Sequence, residues 1–161
     1  MKYKYDHDFH IHSQLSLCSD DPHQTNDDIL RYAEENGLRT IVLTNHYWDS
    51  AMGSANHFYT VQNFEHLAKA KPLPQGRDCT FLFGCEGEMK YDETLGVPPF
   101  RYPDFDFIIL PTTHLHMPGF TVTEENASSF EGLRRMWVSR FERVLASDLP
   151  AGKTGIAHLS N

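Results

Sequence analysis

Five short apolar segments of the chain each end in, or lead directly into, a side chain that commonly binds metal ions. In chain order they cover residues 8–12, 41–46, 81–86, 107–114 and 155–158. Imidazoles and a carboxylate at the ends of successive strands can meet only when the strands lie side by side and point the same way. The pattern therefore predicts a parallel sheet with its chemistry at the carboxyl edge, where α/β folds place their active sites.

The sequence between these segments alternates between loop and helix signals. Thr25 is a good N-cap, two aspartates follow it in the first turn, and Gly37 suits the end of that helix. Further helices are predicted over residues 60–70 and 128–147, the second with an apolar period of about 3.6 residues. The predicted strands cover residues 6–11, 38–44, 80–84, 105–110 and a stretch that begins near 155. This order argues for parallel crossovers in one α/β domain, either a barrel or an open sheet, over residues 1–161.

The first segment contains the pattern His-x-His at the end of a predicted strand. Residues two apart in an extended chain point to the same side, so His10 and His12 can reach one metal ion. Asp8 points the same way in this register and could orient an imidazole. A single pair of this kind is weak evidence for a metal site, because two neighbouring surface histidines are common. The four other segments make ligation the favoured interpretation.

The opening segment also resembles a known motif. Residues 8–13, together with Ser16, Cys18, Asp20 and Asp21, closely resemble the first motif of the PHP (polymerase and histidinol phosphatase) family of phosphoesterases. The later motifs of that family are matched by Thr44-Asn45-His46, Gly84-Cys85-Glu86, His114 and Ala157-His158. Each motif is short, but the five occur in the family's order over essentially the whole chain. The chain is therefore similar to a PHP domain.

The resemblance implies a distorted βα (TIM-like) barrel with two or three divalent metal ions, zinc, manganese or iron. Carried over, His10 and His12 bind one ion with Glu86, and Glu86 bridges to a second ion bound by His114 and His158. A third ion is bound by His46 and a side chain of the loop over residues 18–21. As the ligand from that loop we favour Asp21 over Asp20, and Cys18 is the least favoured of the three. The expected catalytic residues are His10, His12, Glu86 and His114.

Two of these ligands have close rivals in the sequence. Glu88 lies two residues beyond Glu86 on the same side of an extended chain. We favour Glu86 because Gly84 permits a close backbone approach. His116 repeats the His-x-His spacing with His114, which we favour because it lies nearer the strand end.

Other residues are interpreted without a direct role in metal binding. Asn45 stands where the family usually has aspartate, which predicts a less basic His46 and a weaker third site. Cys85 is expected to be a small core residue. Arg101, Arg134 and Arg135 are candidates for phosphate contacts, and solvated charge is the preferred interpretation of the two on the long helix.

Composition excludes several classes of protein. The net charge of −8 disfavours a general binder of nucleic-acid backbones. No stretch reaches the roughly 18 apolar residues of a membrane span, and the N-terminus lacks the apolar region of a signal peptide. Three scattered cysteines without a CxxC pair argue against a disulfide framework and predict a cytoplasmic protein.

The family pattern normally continues to a late Asp-x-His, which this sequence does not contain. We therefore expect about five of seven barrel strands and a sheet edge without a partner strand. Three explanations compete: a fragment of a longer enzyme, which we favour, a homo-oligomer in which a second copy completes the sheet edge, or a degenerate domain without catalysis.

The leading hypothesis is a metal-dependent phosphoesterase that hydrolyses a small phosphomonoester or a nucleotide-like phosphate through a metal-bound hydroxide. An amidohydrolase also begins with His-x-His, but the bridging lysine expected on its fourth strand is missing here. The alternative is a non-catalytic metal-binding or assembly module. Specificity is expected from the rim loops over residues 48–56 and 91–103.

Overall fold

A curled parallel sheet forms the centre of the computed structural model, which describes residues 4–159. Its strands are β1 (His7–Ile11), β2 (Thr40–Leu43), β3 (His46–Tyr47), β4 (Thr80–Gly87), β5 (Phe107–Pro111) and β6 (Thr154–Ala157). The strands pair in the order β1-β2-β4-β5-β6, and every pairing is parallel. The predicted α/β class with a parallel sheet is confirmed, and the sheet curls into a half-barrel. Residues 1–3 and 160–161 of the predicted domain lie outside the described residues.

The short strand β3 was not predicted, and it determines where His46 lies. β2 pairs with β4 up to Leu43 opposite Phe83, and β3 continues along the same strand with His46 opposite Glu86. The two pairings have the same register. The backbone therefore places the imidazole of His46 beside the carboxylate of Glu86 at the carboxyl end of the sheet.

The helices cover the sheet and follow local capping signals. They are α1 (Asn26–Glu35), α2 (His57–Thr60), α3 (Phe64–Leu67), α4 (Glu124–Ala127) and α5 (Phe130–Leu145), with 3₁₀ turns at Ser50–Met52, Ala68–Ala70, Pro99–Asp104 and Ala151–Lys153. Thr25 caps α1 as predicted, since its side chain accepts a hydrogen bond from the Asp28 N–H. Gly37 follows the helix with a φ of 72°, the left-handed conformation that commonly ends helices.

The predicted helix over residues 60–70 is confirmed only in its second part, because α3 and the 3₁₀ turn after it cover residues 64–70 while residues 61–63 are not helical. The side chain of Asn56 caps α2 by accepting from the Tyr59 N–H, and Asn63 caps α3 by accepting from the His66 N–H. Asparagine favours the N-cap over the helix interior, so the second cap restarts the helix instead of extending it. The long helix is confirmed as α5, with Ser129 as its cap.

The main core lies between the sheet and the helices around it. Cys85 is fully buried there, as predicted, beside Ile108 and Leu110 of β5. A second, smaller cluster consists of Trp48, Tyr59 and Phe120. Among residues 4–159 no helix combines the length and the apolar character that a membrane span requires.

Gly84 allows β4 and β5 to approach closely, just before Glu86. A Cβ atom at this position would lie 2.4 Å from the backbone oxygen of Phe107 and 2.8 Å from a methyl group of Val42. Any larger residue would push the strands apart. The glycine therefore supports the sheet geometry that carries Glu86 to the carboxyl edge.

Candidate metal centre

The carboxylate of Glu86 lies at the centre of a cluster of imidazoles. Its side chain is 1% exposed, and one oxygen, Oε2, faces three histidines. His10 Nε2 lies 3.3 Å from this oxygen, His12 Nε2 3.1 Å and His46 Nδ1 3.0 Å. The Nε2 atoms of His10 and His12 are themselves 3.2 Å apart. The alternation of the strand thus directs both histidines of the His-x-His pair to one point, as predicted for residues two apart in an extended chain.

The second oxygen of Glu86 faces the other side of the cluster. His114 Nε2 and His158 Nε2 each lie 3.7 Å from Oε1. The ligand atoms of Glu86, His114 and His158 lie within 4.8 Å of one another, as do those of Glu86, His10 and His12. One carboxylate is therefore shared by two groups of candidate ligands.

A third group consists of His12, Cys18 and His46, again with ligand atoms within 4.8 Å. Cys18 reaches it because the chain turns back after β1, where the Ser19 N–H donates to the Ser16 carbonyl oxygen. Asp21, which we favoured from the sequence, is exposed and lies outside these three groups of described residues. Its carboxylate accepts a hydrogen bond from the His23 N–H, within its own loop.

The cluster is chemically suited to divalent metal ions. Both oxygens of Glu86 are buried, and neither has a hydrogen bond of good geometry among the described residues. A buried carboxylate left in this way is costly. Imidazole, carboxylate and thiolate are the ligands that zinc, iron and manganese use in proteins. Cations between Glu86 and the facing nitrogens would satisfy these oxygens, so the residues present fit a metal centre.

Hydrogen bonds on the far side of two imidazoles fix which nitrogen faces the centre. Ser16 Oγ donates to Gln62 Oε1, so the 3.2 Å contact from His12 Nδ1 to Ser16 Oγ is an N–H donation by His12. His114 Nδ1 lies 2.8 Å from Glu88 Oε2, and a carboxylate can only accept. In the neutral form of both rings the lone pair is therefore on Nε2, which points toward Glu86.

Glu88, the rival ligand of Glu86 in the sequence, instead supports the ligands from behind. It is fully buried and accepts hydrogen bonds from His114 and from the Tyr59 hydroxyl, the latter at 2.9 Å. Arg140 Nη2 lies 2.9 Å from its other oxygen, Oε1. Glu88 therefore links His114 to a buried positive charge on helix α5.

Arg140 is the main residue near the site that sequence reasoning missed. It is 1% exposed, and its guanidinium donates to the backbone carbonyl oxygens of Met89, Thr121 and Pro111 as well as to Glu88. A signal for it exists in the sequence. Arg140 stands four residues after Met136, at the spacing of the buried face of α5.

The electrostatics of the cluster follow from its burial and from the close imidazoles. Burial alone would raise the pKa of Glu86, but His10, His12 and His46 outweigh it and hold this pKa far below its usual range. Burial lowers the pKa of His12. For His46 burial also favours a lower pKa, but contacts with Cys18 and Glu86 raise the pKa to about 9. The contact with His46 in turn lowers the pKa of the Cys18 thiol. The centre thus has the strong mutual perturbation that is common at functional sites.

Several polar residues considered from the sequence have other partners. Asn45 accepts from the Ser13 N–H and donates to the Ser13 hydroxyl, and so ties the loop after β1 to the end of β2. Asp8 accepts from the backbone N–H of His10 and not from its imidazole. Arg101 Nε lies 2.9 Å from the Asp49 carboxylate. Arg134 and Arg135 are exposed and face Glu131.

No protein-family model matches the chain, and no curated protein matches it. What the cluster does is therefore inferred from its geometry. A buried carboxylate shared by two groups of imidazoles can hold two cations close together, the arrangement found in metal-dependent hydrolases.

Proposed function

We propose that the chain is a metal-dependent phosphoesterase of the PHP type, built on a partial TIM-like barrel. The observation that carries the proposal is the position of Glu86. Its Oε2 faces His10 and His12, and its Oε1 faces His114 and His158, so a single carboxylate can bridge two ions. The resemblance of five ordered sequence motifs to that family supports the same conclusion.

In this proposal His10, His12 and Glu86 hold one ion of zinc, manganese or iron, and Glu86, His114 and His158 hold a second. Cys18 and His46 would provide a place for a third, beside His12, whose Nε2 serves the first ion. Bound divalent ions at such a centre supply Lewis acidity, which activates water as a nucleophile and neutralises the oxygens of a phosphoryl group. Because Ser16 and Glu88 fix the Nδ1 protons of His12 and His114, the ligands are oriented before any ion binds.

The substrate class follows from the charge around the centre. The arginines considered from the sequence are paired elsewhere, Arg101 with Asp49 and Arg134 with Glu131. Neutralisation of the phosphate therefore falls to the metal ions. The net charge of −8 disfavours long polyanions, and we propose a small phosphomonoester or nucleotide-like phosphate as the substrate.

Metal analysis combined with turnover tests this function. The full chain is loaded with zinc, manganese or iron, and its metal content is measured by mass spectrometry. We expect two or more bound ions per chain. The loaded chain should hydrolyse a generic phosphomonoester, lose activity with a chelator and regain it when the ion is added back. His10→Ala should lose this activity. His7→Ala is its matched control, because His7 lies on the same strand but is exposed beside Asp6. One weakly held ion without turnover would instead indicate the non-catalytic module.

The third group allows a separate prediction that distinguishes Cys18 from Asp21. Cys18→Ser should remove one ion per chain and abolish the thiolate-to-metal charge-transfer absorption of the Co²⁺-substituted protein, because sulfur is the only soft ligand in that group. Asp21→Asn should change neither, since Asp21 is bonded within its own loop. The reverse result, loss of an ion in Asp21→Asn alone, would contradict the assignment.

A further inference from the structure

A cavity of about 410 Å³ opens directly onto the metal centre. His46, His114 and Cys18 form its inner wall, and residues of α2 and of the segment after β5 form its outer wall. This volume is at the lower end of the range for small-molecule sites. A phosphate ester held at the metal centre can place its alcohol portion in this cavity.

The outer wall is apolar and aromatic in character. Phe58 and Met117 line it, and both pack against the buried cluster of Trp48, Tyr59 and Phe120, which holds them in place. The centroids of the Phe58 and His46 rings lie 5.3 Å apart, and the ring planes meet edge to face at an angle of 71°. A ring bound in the cavity can therefore contact an aromatic face and a thioether, both of which favour planar aromatic groups.

The polar groups of the wall are already used or lie at its rim. Asn56 Oδ1 accepts from the Tyr59 N–H, and Asn56 Nδ2 lies 3.3 Å from Met117 Sδ. His57 and His116 are exposed at the opening. None of the described residues that line the cavity is lysine, arginine, aspartate or glutamate. A second charged group or a run of hydroxyls would lose its hydration there without a partner, which is unfavourable.

We infer that the cavity is a subsite for the alcohol portion of the substrate, and that it selects phosphate esters whose alcohol carries a small, uncharged, planar ring. This inference rests on the proposed phosphoesterase function and narrows its substrate class. Sugar phosphates and substrates with a second charge are disfavoured by the same wall.

The test compares two esters whose leaving alcohols have similar acidity, benzyl phosphate and glycerol 1-phosphate, so that intrinsic reactivity does not decide the result. The metal-loaded full chain should hydrolyse benzyl phosphate with at least about tenfold higher kcat/KM. Phe58→Ala should lower kcat/KM for benzyl phosphate by about tenfold, the size of one aromatic contact. The ratio of kcat/KM for benzyl phosphate to that for glycerol 1-phosphate should fall by a similar factor, because the lost contact serves the ring and not the phosphate. Residual hydrolysis of glycerol 1-phosphate shows that the variant is folded.

Two controls complete the design. Phe130→Ala removes a ring that is 82% exposed and does not line the cavity. It should change kcat/KM for neither ester. Phenylphosphonate, but not methylphosphonate, should shift the methyl NMR signal of Met117, which is a binding readout without turnover. Equal kcat/KM for the two esters in the wild type would overturn the subsite and leave the phosphoesterase intact. Hydrolysis of neither ester would overturn both.

Discussion

Replacing Glu86 with glutamine is expected to abolish phosphatase activity and to reduce the bound metal below two ions per chain. Glutamine keeps the volume of the side chain but replaces the charge that both groups of imidazoles share. Two metal ions supply several kcal/mol of stabilisation to the transition state, so kcat/KM should fall by about 10³-fold or more. Turnover of a generic phosphomonoester and metal content by mass spectrometry measure the two effects together.

A matched control separates this effect from a general loss of charge. Glu65 lies exposed on α3, and Glu65→Gln should leave activity and metal content unchanged. His10→Ala should match Glu86→Gln in its loss of activity, because His10 belongs to one of the two groups that the carboxylate joins. Unchanged turnover in both Glu86→Gln and His10→Ala would contradict the proposed function.

The convergence of the histidines on Glu86 was largely predictable because it follows from the direction of the parallel strands. Parallel strands bring their carboxyl ends to one edge, and strand alternation aims His10 and His12 to the same side. The register adds the rest: continuous pairing along β4 places His46 opposite Glu86. None of these relations requires knowledge of side-chain packing.

The assignment of Cys18 and Asp21 depended on loop geometry, which periodicity does not describe. The turn between Ser16 and Ser19 carries Cys18 toward His46, whereas Asp21 bonds to its own loop. Both residues suit a metal site by type. Only the path of the loop distinguishes them, and several hydrogen bonds fix that path, among them those from the Ser19 N–H to the Ser16 carbonyl and from the Gln24 N–H to the Asp21 carbonyl.

The buried pair of Glu88 and Arg140, which lies behind the candidate ligand His114, could not be predicted for a different reason. Arg140 and Glu88 are 52 residues apart and meet only because the side chain of Arg140 reaches from α5 to the residues that follow β4. In the sequence, Arg140 is simply one of several arginines on a long helix, and Glu88 is a second candidate ligand. The sequence favoured Glu86 over Glu88, but the role of Glu88 as a partner of Arg140 depends on this contact across the fold.

Arg140→Met is expected to destabilise the metal-free protein by about 3–5 kcal/mol, because it leaves Glu88 buried without its partner charge. Methionine keeps much of the apolar stem but cannot donate to Glu88 or to the carbonyl oxygens of Met89 and Pro111. For a domain of this size the loss corresponds to a decrease in Tm of roughly 10 °C. Urea unfolding in the presence of a chelator measures the free energy of unfolding without the contribution of bound metal.

The double variant Glu88→Gln with Arg140→Met tests whether the lost stability comes from the unpaired carboxylate of Glu88. Removing the unpaired carboxylate should recover part of the lost stability, while the uncovered carbonyl oxygens keep the recovery incomplete. The exposed pair of Arg134 and Glu131 is the matched control, and Arg134→Met should change the free energy of unfolding by less than about 0.5 kcal/mol. If Arg140→Met were equally mild, or if the double variant were less stable than Arg140→Met alone, the buried charge on Glu88 would not depend on Arg140. The link from α5 through Glu88 to His114 would then have no energetic basis.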